Sequence, residues 1–209
     1  MLHKKVTFPC QDIILDGVLA IPEGEGPFGL VVICHPHPLY GGSMHNKVIY
    51  AVSRQLEEKG LAWLKFNFRG VGFSGGSFAG GVGEREDARA AIAFGGVQEK
   101  IDHEKIGICG YSFGAAVAFG VAGEDSRIKA VAGISPPLHP AGPLPLYKKP
   151  KLIVSGADDE LIHPKDLEEI FRILPEPKEL IFYPEADHFW GASDGPMAEK
   201  VSLFFLQNL

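Results

Sequence analysis

Ser112 stands in Gly110-Tyr111-Ser112-Phe113-Gly114, between the apolar run Ile106 to Cys109 and the small residues Ala115, Ala116, Ala118 and Gly120. A serine hydroxyl presented on a tight turn from strand to helix is placed for nucleophilic attack. Glycines two residues to either side relieve the crowding of such a turn. The following helix aims its N-terminal amides where negative charge develops on a substrate oxygen. Serine at its free pKa is a poor nucleophile, so it needs a base, and the base needs a group that orients it. His188, in Ala186-Asp187-His188-Phe189-Trp190, is the candidate base. Gly156-Ala157-Asp158-Asp159 supplies the candidate carboxylates, Asp158 or Asp159. A developing oxyanion needs two amides aimed at one point. The N–H of Phe113 is one. Pro36 and Pro38 have none to give, so His37, Leu39 and Tyr40 are the candidates for the second.

These residues can meet only if the chain brings three loops to one edge of a sheet. The apolar runs 29–34, 61–68, 128–134, 152–154 and 180–183 read as strands, with the run before Ser112 as another. Helical spacing covers about 46–59, 84–98, 164–174 and 196–208, and a further helix follows Ser112. Residues 4–21 alternate loosely and predict an antiparallel hairpin that turns at Asp16-Gly17. The sum is one domain over residues 1–209, an α/β architecture with a mostly parallel sheet of about eight strands and helices on both faces. Loops at the carboxyl ends of its strands converge on one edge, which places Ser112, the aspartate pair and His188 together.

Composition narrows the partners. The net charge of −6 argues against nucleic acid and acidic membrane surfaces, and no apolar run reaches transmembrane length. Cys10, Cys34 and Cys109 read as buried, reduced thiols of a cytoplasmic protein. His35 and His37 form an H-x-H pair without a companion set of metal ligands. Their side chains are expected to brace the loop, with no metal and no cofactor. Arg69 is expected to fix the glycine-rich loop through Gly83 in preference to binding a substrate carboxylate. Asp187, next to His188 in the chain, points away from that ring.

The motifs His35-Pro36-His37-Pro38-Leu39-Tyr40-Gly41-Gly42, Phe66-Asn67-Phe68-Arg69-Gly70-Val71-Gly72-Phe73-Ser74, Gly110-x-Ser112-x-Gly114, Gly156-Ala157-Asp158-Asp159 and Ala186-Asp187-His188-Phe189 together resemble the α/β-hydrolases. They are most similar to the small capless serine hydrolases with a His-Pro-His-Pro loop, which overlap the dienelactone-hydrolase-like esterases. The resemblance spans nearly the whole chain and implies the α/β-hydrolase fold. It implies Asp159, three residues past the strand-ending glycine, as the acid, and His37 as the second oxyanion donor. Dienelactone hydrolases proper carry cysteine at the elbow, where this chain has Ser112, so dienelactone is not the implied substrate.

The resulting expectation is a serine carboxylesterase acting on short-chain esters through an acyl-enzyme. A small peptidase or acyltransferase on the same apparatus is the near alternative, and a catalytically silent binding protein the distant one. The prolines of residues 135–149 leave no helical cap, so the expected pocket is shallow and apolar, walled by Leu39, Tyr40, Leu138, Phe189 and Trp190, with Leu144 and Leu146 on its rim. The sequence leaves the physiological ester and the oligomeric state open.

Overall fold

The computed structural model describes residues 1–138, 146–191 and 193–209. Strands β1 (Leu2–Cys10) and β2 (Ile13–Ile21) form the N-terminal hairpin, and β3 (Phe28–Cys34) leads to a short 3-10 turn and helix α1 (Lys47–Glu58). Then follow β4 (Ala62–Phe66), α2 (Val82–Gly96), β5 (Ile101–Tyr111), α3 (Phe113–Glu124), β6 (Ile128–Ile134), β7 (Lys151–Gly156), α4 (Pro164–Ile173), β8 (Lys178–Tyr183) and α5 (Asp194–Asn208). The eight strands make one sheet in the order β1-β2-β4-β3-β5-β6-β7-β8. From β4 to β8 every pairing is parallel, and the hairpin joins antiparallel through β2 and β4.

The apolar runs read from the sequence are the central strands. Leu30–Cys34, Ala62, Leu64, Ile108 and Cys109 are fully buried because helices cover both faces of the sheet. One core cluster packs Ala88, Ala91 and Ile92 of α2, Val117, Ala118 and Val121 of α3, and Leu167 and Ile170 of α4 against the sheet. The other packs Val48, Val52 and Leu56 of α1, and Met197, Val201 and Phe205 of α5, against the opposite face. This is the architecture that the resemblance implies. Among the described residues no helix is long and apolar enough to cross a membrane, and the three cysteines are free and buried.

The hairpin corrects one expectation. The ladder runs unbroken from Leu2↔Ile21 to Cys10↔Ile13, so the turn is Gln11-Asp12, and Asp16-Gly17 lies inside β2. Asp-Gly is a strong local turn signal, but long-range contacts account for it here. A Cβ at position 17 would stand 2.8 Å from the carbonyl oxygen of Lys65, so the glycine admits β4. The buried Asp16 carboxylate ties down the loop after β4: Oδ1 accepts Phe73 N–H at 3.1 Å and the Ser74 hydroxyl at 3.0 Å, and Asn67 Nδ2–H donates to Oδ2 at 3.2 Å.

Candidate active site

Strand β5 passes into α3 through Ser112, whose φ of 52° and ψ of −123° lie in a region that side-chain-bearing residues rarely adopt. The position survives because its surroundings enforce it. A Cβ at Gly114 would fall 2.3 Å from the Cys34 carbonyl oxygen and 2.4 Å from that of His35, so only glycine lets α3 begin this close to the end of β3. Ser112 N–H donates to the Ile134 carbonyl at 2.8 Å, which fastens the turn to β6. The hydroxyl is left half-buried.

His188 reaches the serine from the loop after β8: its Nε2 lies 3.0 Å from Ser112 Oγ. Its Nδ1 lies 2.9 Å from Asp159 Oδ2 and 3.1 Å from Oδ1. Asp159 is 2% exposed, whereas Asp158 is an exposed residue whose backbone N–H donates to the Ala186 carbonyl and so joins the two loops. Burial pushes the Asp159 carboxyl up. The hydrogen bond from His188, the N–H of Ile162 and the His188 charge outweigh it and hold the group below the usual carboxylate range. Oδ1 also accepts the backbone N–H groups of Leu161 at 3.0 Å and Ile162 at 2.8 Å. Asp187 lies elsewhere, its Oδ1 accepting the Phe189 N–H.

The His188 loop is clamped from behind. The Tyr111 hydroxyl donates to the His188 carbonyl at 2.8 Å, and Trp190 Nε1–H donates to Ser135 Oγ at 3.2 Å. Trp190 was expected in the pocket wall. It is fully buried, with the indole held by Ser135 in the core, so it shapes the loop from inside. Leu138 is likewise corrected: it is 5% exposed and belongs to the core cluster beneath α2, α3 and α4. Leu39, Tyr40 and Phe189 are exposed, as is Leu146; Leu144 lies outside the described residues.

Of the three amides considered for the loop after β3, two are already engaged. Leu39 N–H donates to His37 Nδ1 at 3.2 Å and Tyr40 N–H to the His37 carbonyl at 3.1 Å. The N–H groups of His37 and Phe113 have no acceptor among the described residues. The rings of these two residues stand 4.8 Å apart, and Phe78, from the loop after β4, packs on both at 4.9 and 5.7 Å. Phe78 was not singled out by sequence reasoning, because Gly76-Ser77-Phe78-Ala79-Gly80 carries no spacing signal; only its contacts place it here.

His35 braces this loop with both ring nitrogens. Nδ1 lies 2.6 Å from the Pro36 carbonyl, and Phe68 N–H donates to Nε2 at 3.0 Å. Arg69 forms a bidentate pair with the buried Asp87 of α2, and Glu84 accepts the N–H groups of Ala79 and Gly81. Both contacts fix the segment that carries Phe78. Among the described residues no group of three or more metal-ligating side chains occurs.

The family model described as "Dienelactone hydrolase family" matches residues 81–201, from the start of α2 into α5. The chain belongs to the dienelactone hydrolase family. A solved structure of an α/β serine hydrolase homologue from Coxiella burnetii is 30% identical, with a TM-score of 0.86 over 100% of this chain and 98% of that one. A lidless α/β serine hydrolase from Xanthomonas campestris is 28% identical, with a TM-score of 0.86 over 98% of this chain and 94% of that one. The esterase FrsA of an Enterobacter species is 32% identical over 140 residues, covering 65% of this chain and 32% of that protein. This chain thus matches about a third of that esterase's length. Like the Xanthomonas member of the fold, this dienelactone hydrolase family chain has no helical lid among its described residues.

Proposed function

We propose that this chain is a serine carboxylesterase in which Ser112 is the nucleophile, His188 the general base and acid, and Asp159 the carboxylate that orients His188. The observation that carries this reading is the unbroken relay from Ser112 Oγ through both nitrogens of His188 to a buried, ionised Asp159, with the serine held at positive φ. His188 Nε2 takes the Ser112 proton as Oγ attacks the ester carbonyl. The amides of Phe113 and His37 receive the oxyanion, and His188 returns the proton to the departing alcohol. Water activated by the same nitrogen then releases the acid and restores the serine. No cofactor enters these steps. A family defined by hydrolases and a relative named as an esterase support ester cleavage.

Tyr40, Phe78 and Phe113 gather around the His37 ring and Phe189 stands against His188, so partly exposed apolar groups flank both partners of the serine, which suits a small-molecule ester with a short acyl chain. The chain acts as one domain, and its buried thiols suit the reducing cytoplasm. The test is labelling by a fluorophosphonate followed by peptide mass analysis, with turnover of p-nitrophenyl esters from acetyl to dodecanoyl. The adduct falls on the Ser112 peptide, Ser112→Ala loses turnover by about 10⁶, and kcat/KM declines beyond hexanoyl. An adduct elsewhere ends the assignment of the nucleophile, and faster turnover of dodecanoyl than butanoyl ends the open-pocket reading.

A further inference from the structure

A line of buried polar groups leads to Asp159, and the reaction as written above does not use it. Trp190 Nε1–H donates to Ser135 Oγ at 3.2 Å, Ser135 Oγ lies 3.5 Å from Ser155 Oγ, and the Ser155 hydroxyl donates to Asp159 Oδ2 at 3.5 Å. Ser135, Ser155 and Trp190 are fully buried. Ser135 is the first residue past β6 and Ser155 belongs to β7, and the Ser135 N–H, donating to the Val154 carbonyl at 2.8 Å, fastens one to the other. A hydroxyl buried this deeply costs stability unless it is bonded. Among the described residues neither serine side chain has a partner outside this line.

The chemistry of the two ends fixes the direction of the line. An indole nitrogen only donates, and an ionised carboxylate only accepts. Ser135 Oγ therefore accepts from Trp190, and Ser155 gives its proton to Asp159. The proton of Ser135 is left for Ser155 Oγ, so every polar hydrogen points toward the carboxylate. The Ser135 hydroxyl is also among the influences that draw the Asp159 pKa down. The other donors to this carboxylate are the N–H groups of Leu161 and Ile162 on Oδ1 and His188 Nδ1 across both oxygens, which leaves Ser155 as the second donor on Oδ2. Backbone strain gathers at the same place. Ser135 and Trp190 hold φ values of 44° and 61°, beside the 52° of Ser112. Residues with side chains keep such values only where their surroundings enforce them.

We propose that Ser135 and Ser155 are positioning residues that act as one donor chain, from the Trp190 indole to Asp159 Oδ2, for the reaction assigned to Ser112; the inference rests on that assignment. As His188 gains the serine proton, Asp159 must keep its orientation and stay ionised. Hydroxyl hydrogens aimed at Oδ2 favour the ionised form. Both 3.5 Å spans are long for hydroxyl bonds, and a shift of about 0.5 Å brings either to ordinary length. Bonds of this kind tighten as the transition state forms. Trp190 is two residues past His188, so the chain closes a ring: His188 holds Asp159 directly, and its own loop holds Asp159 again through the two serines.

The experiment compares Ser135→Ala, Ser155→Ala and the double variant in steady-state turnover of p-nitrophenyl butyrate, together with the low-field proton resonance of His188 Nδ1–H. Each single variant lowers kcat by about 10-fold with KM within about 2-fold, because one donor to a charged group is lost. The double variant also loses about 10-fold in place of about 100-fold, since groups that act as a unit are not additive. The Nδ1–H resonance moves in all three. Ser135→Gly removes the same hydroxyl and relaxes the positive φ, so it gives the same kinetics in a backbone at no risk from strain. Trp190→Phe, which removes the far donor, lowers kcat by about 3-fold and has no further effect on Ser135→Ala. The proposal is overturned if the serine variants turn over as the wild type does, if their effects multiply, or if the resonance stays in place while only the melting temperature falls. Failure of the wild-type protein to label at Ser112 strikes the esterase reading instead, and the resonance then still decides whether the chain reaches Asp159.

Discussion

Replacing His35 with glutamine while lowering the pH should expose how the loop after β3 is held. His35 is fully buried, and burial pushes its pKa down to about 4, against smaller upward effects from its bond to the Pro36 carbonyl and from Asp16 and Asp87. An unfolded histidine titrates near about 6.5. Between those two values the unfolded chain binds a proton that the folded chain refuses, so stability falls as the pH drops through this window and is unaffected by His35 above it. The interval is about 2.5 decades of proton affinity, or about 3 kcal/mol in full, of which about 2 kcal/mol is already lost at pH 5. His35→Gln keeps an acceptor near the Nε2 position for Phe68 N–H but cannot be protonated. It loses about 1–2 kcal/mol at pH 8 through the missing Pro36 contact and altered packing. Urea unfolding of both proteins from pH 8 to pH 5 measures the difference, and groups common to both cancel. The wild-type advantage at pH 8 should shrink by about 2 kcal/mol at pH 5. A difference that stays constant over that range refutes the claim that a neutral, buried imidazole pins this loop.

Three further outcomes follow from the site. Asp159→Asn should lower kcat by about 10³–10⁴ with geometry intact, and Asp158→Asn should have little effect, because only Asp159 is buried against His188; the reverse order in steady-state kinetics moves the acid to Asp158. Gly114→Ala should abolish soluble folded protein or activity, since its Cβ meets backbone oxygens 2.3 and 2.4 Å away that cannot retreat as a side chain could; wild-type melting temperature and turnover count against that contact. Asp159 is held below the usual carboxylate range and stays ionised as the pH falls toward 5, so any acid-side decline of kcat/KM should carry no contribution from this carboxylate and show the slope of one proton; a slope of two counts against an ionised Asp159.

Local chemistry made much of this chain legible. The Gly110-x-Ser112-x-Gly114 spacing is dictated by one turn and its immediate neighbours, so it could be read without knowing what packs around it. Continuous apolar runs marked the strands because a sheet covered on both faces leaves no polar side to alternate with. Once the sheet was known to be parallel, the order of Ser112, the aspartates and His188 followed, since the ends of parallel strands share an edge.

Contacts between distant segments decided the rest. Asp158 and Asp159 differ by one position and have the same side chain, and only the packing of the loop after β7 on His188 turned one inward and left the other in water. Asp16-Gly17 has the composition of a turn, and it became strand because β4 passes within 2.8 Å of where a Cβ would sit. Trp190 and Leu138 belong to chemical types that suit a pocket wall or a core equally well; neighbours supplied by other elements drew both into the core. Phe78 carries no motif at all. Its significance lies in rings several dozen residues away in sequence, and side-chain type alone says nothing about which neighbours will meet in space.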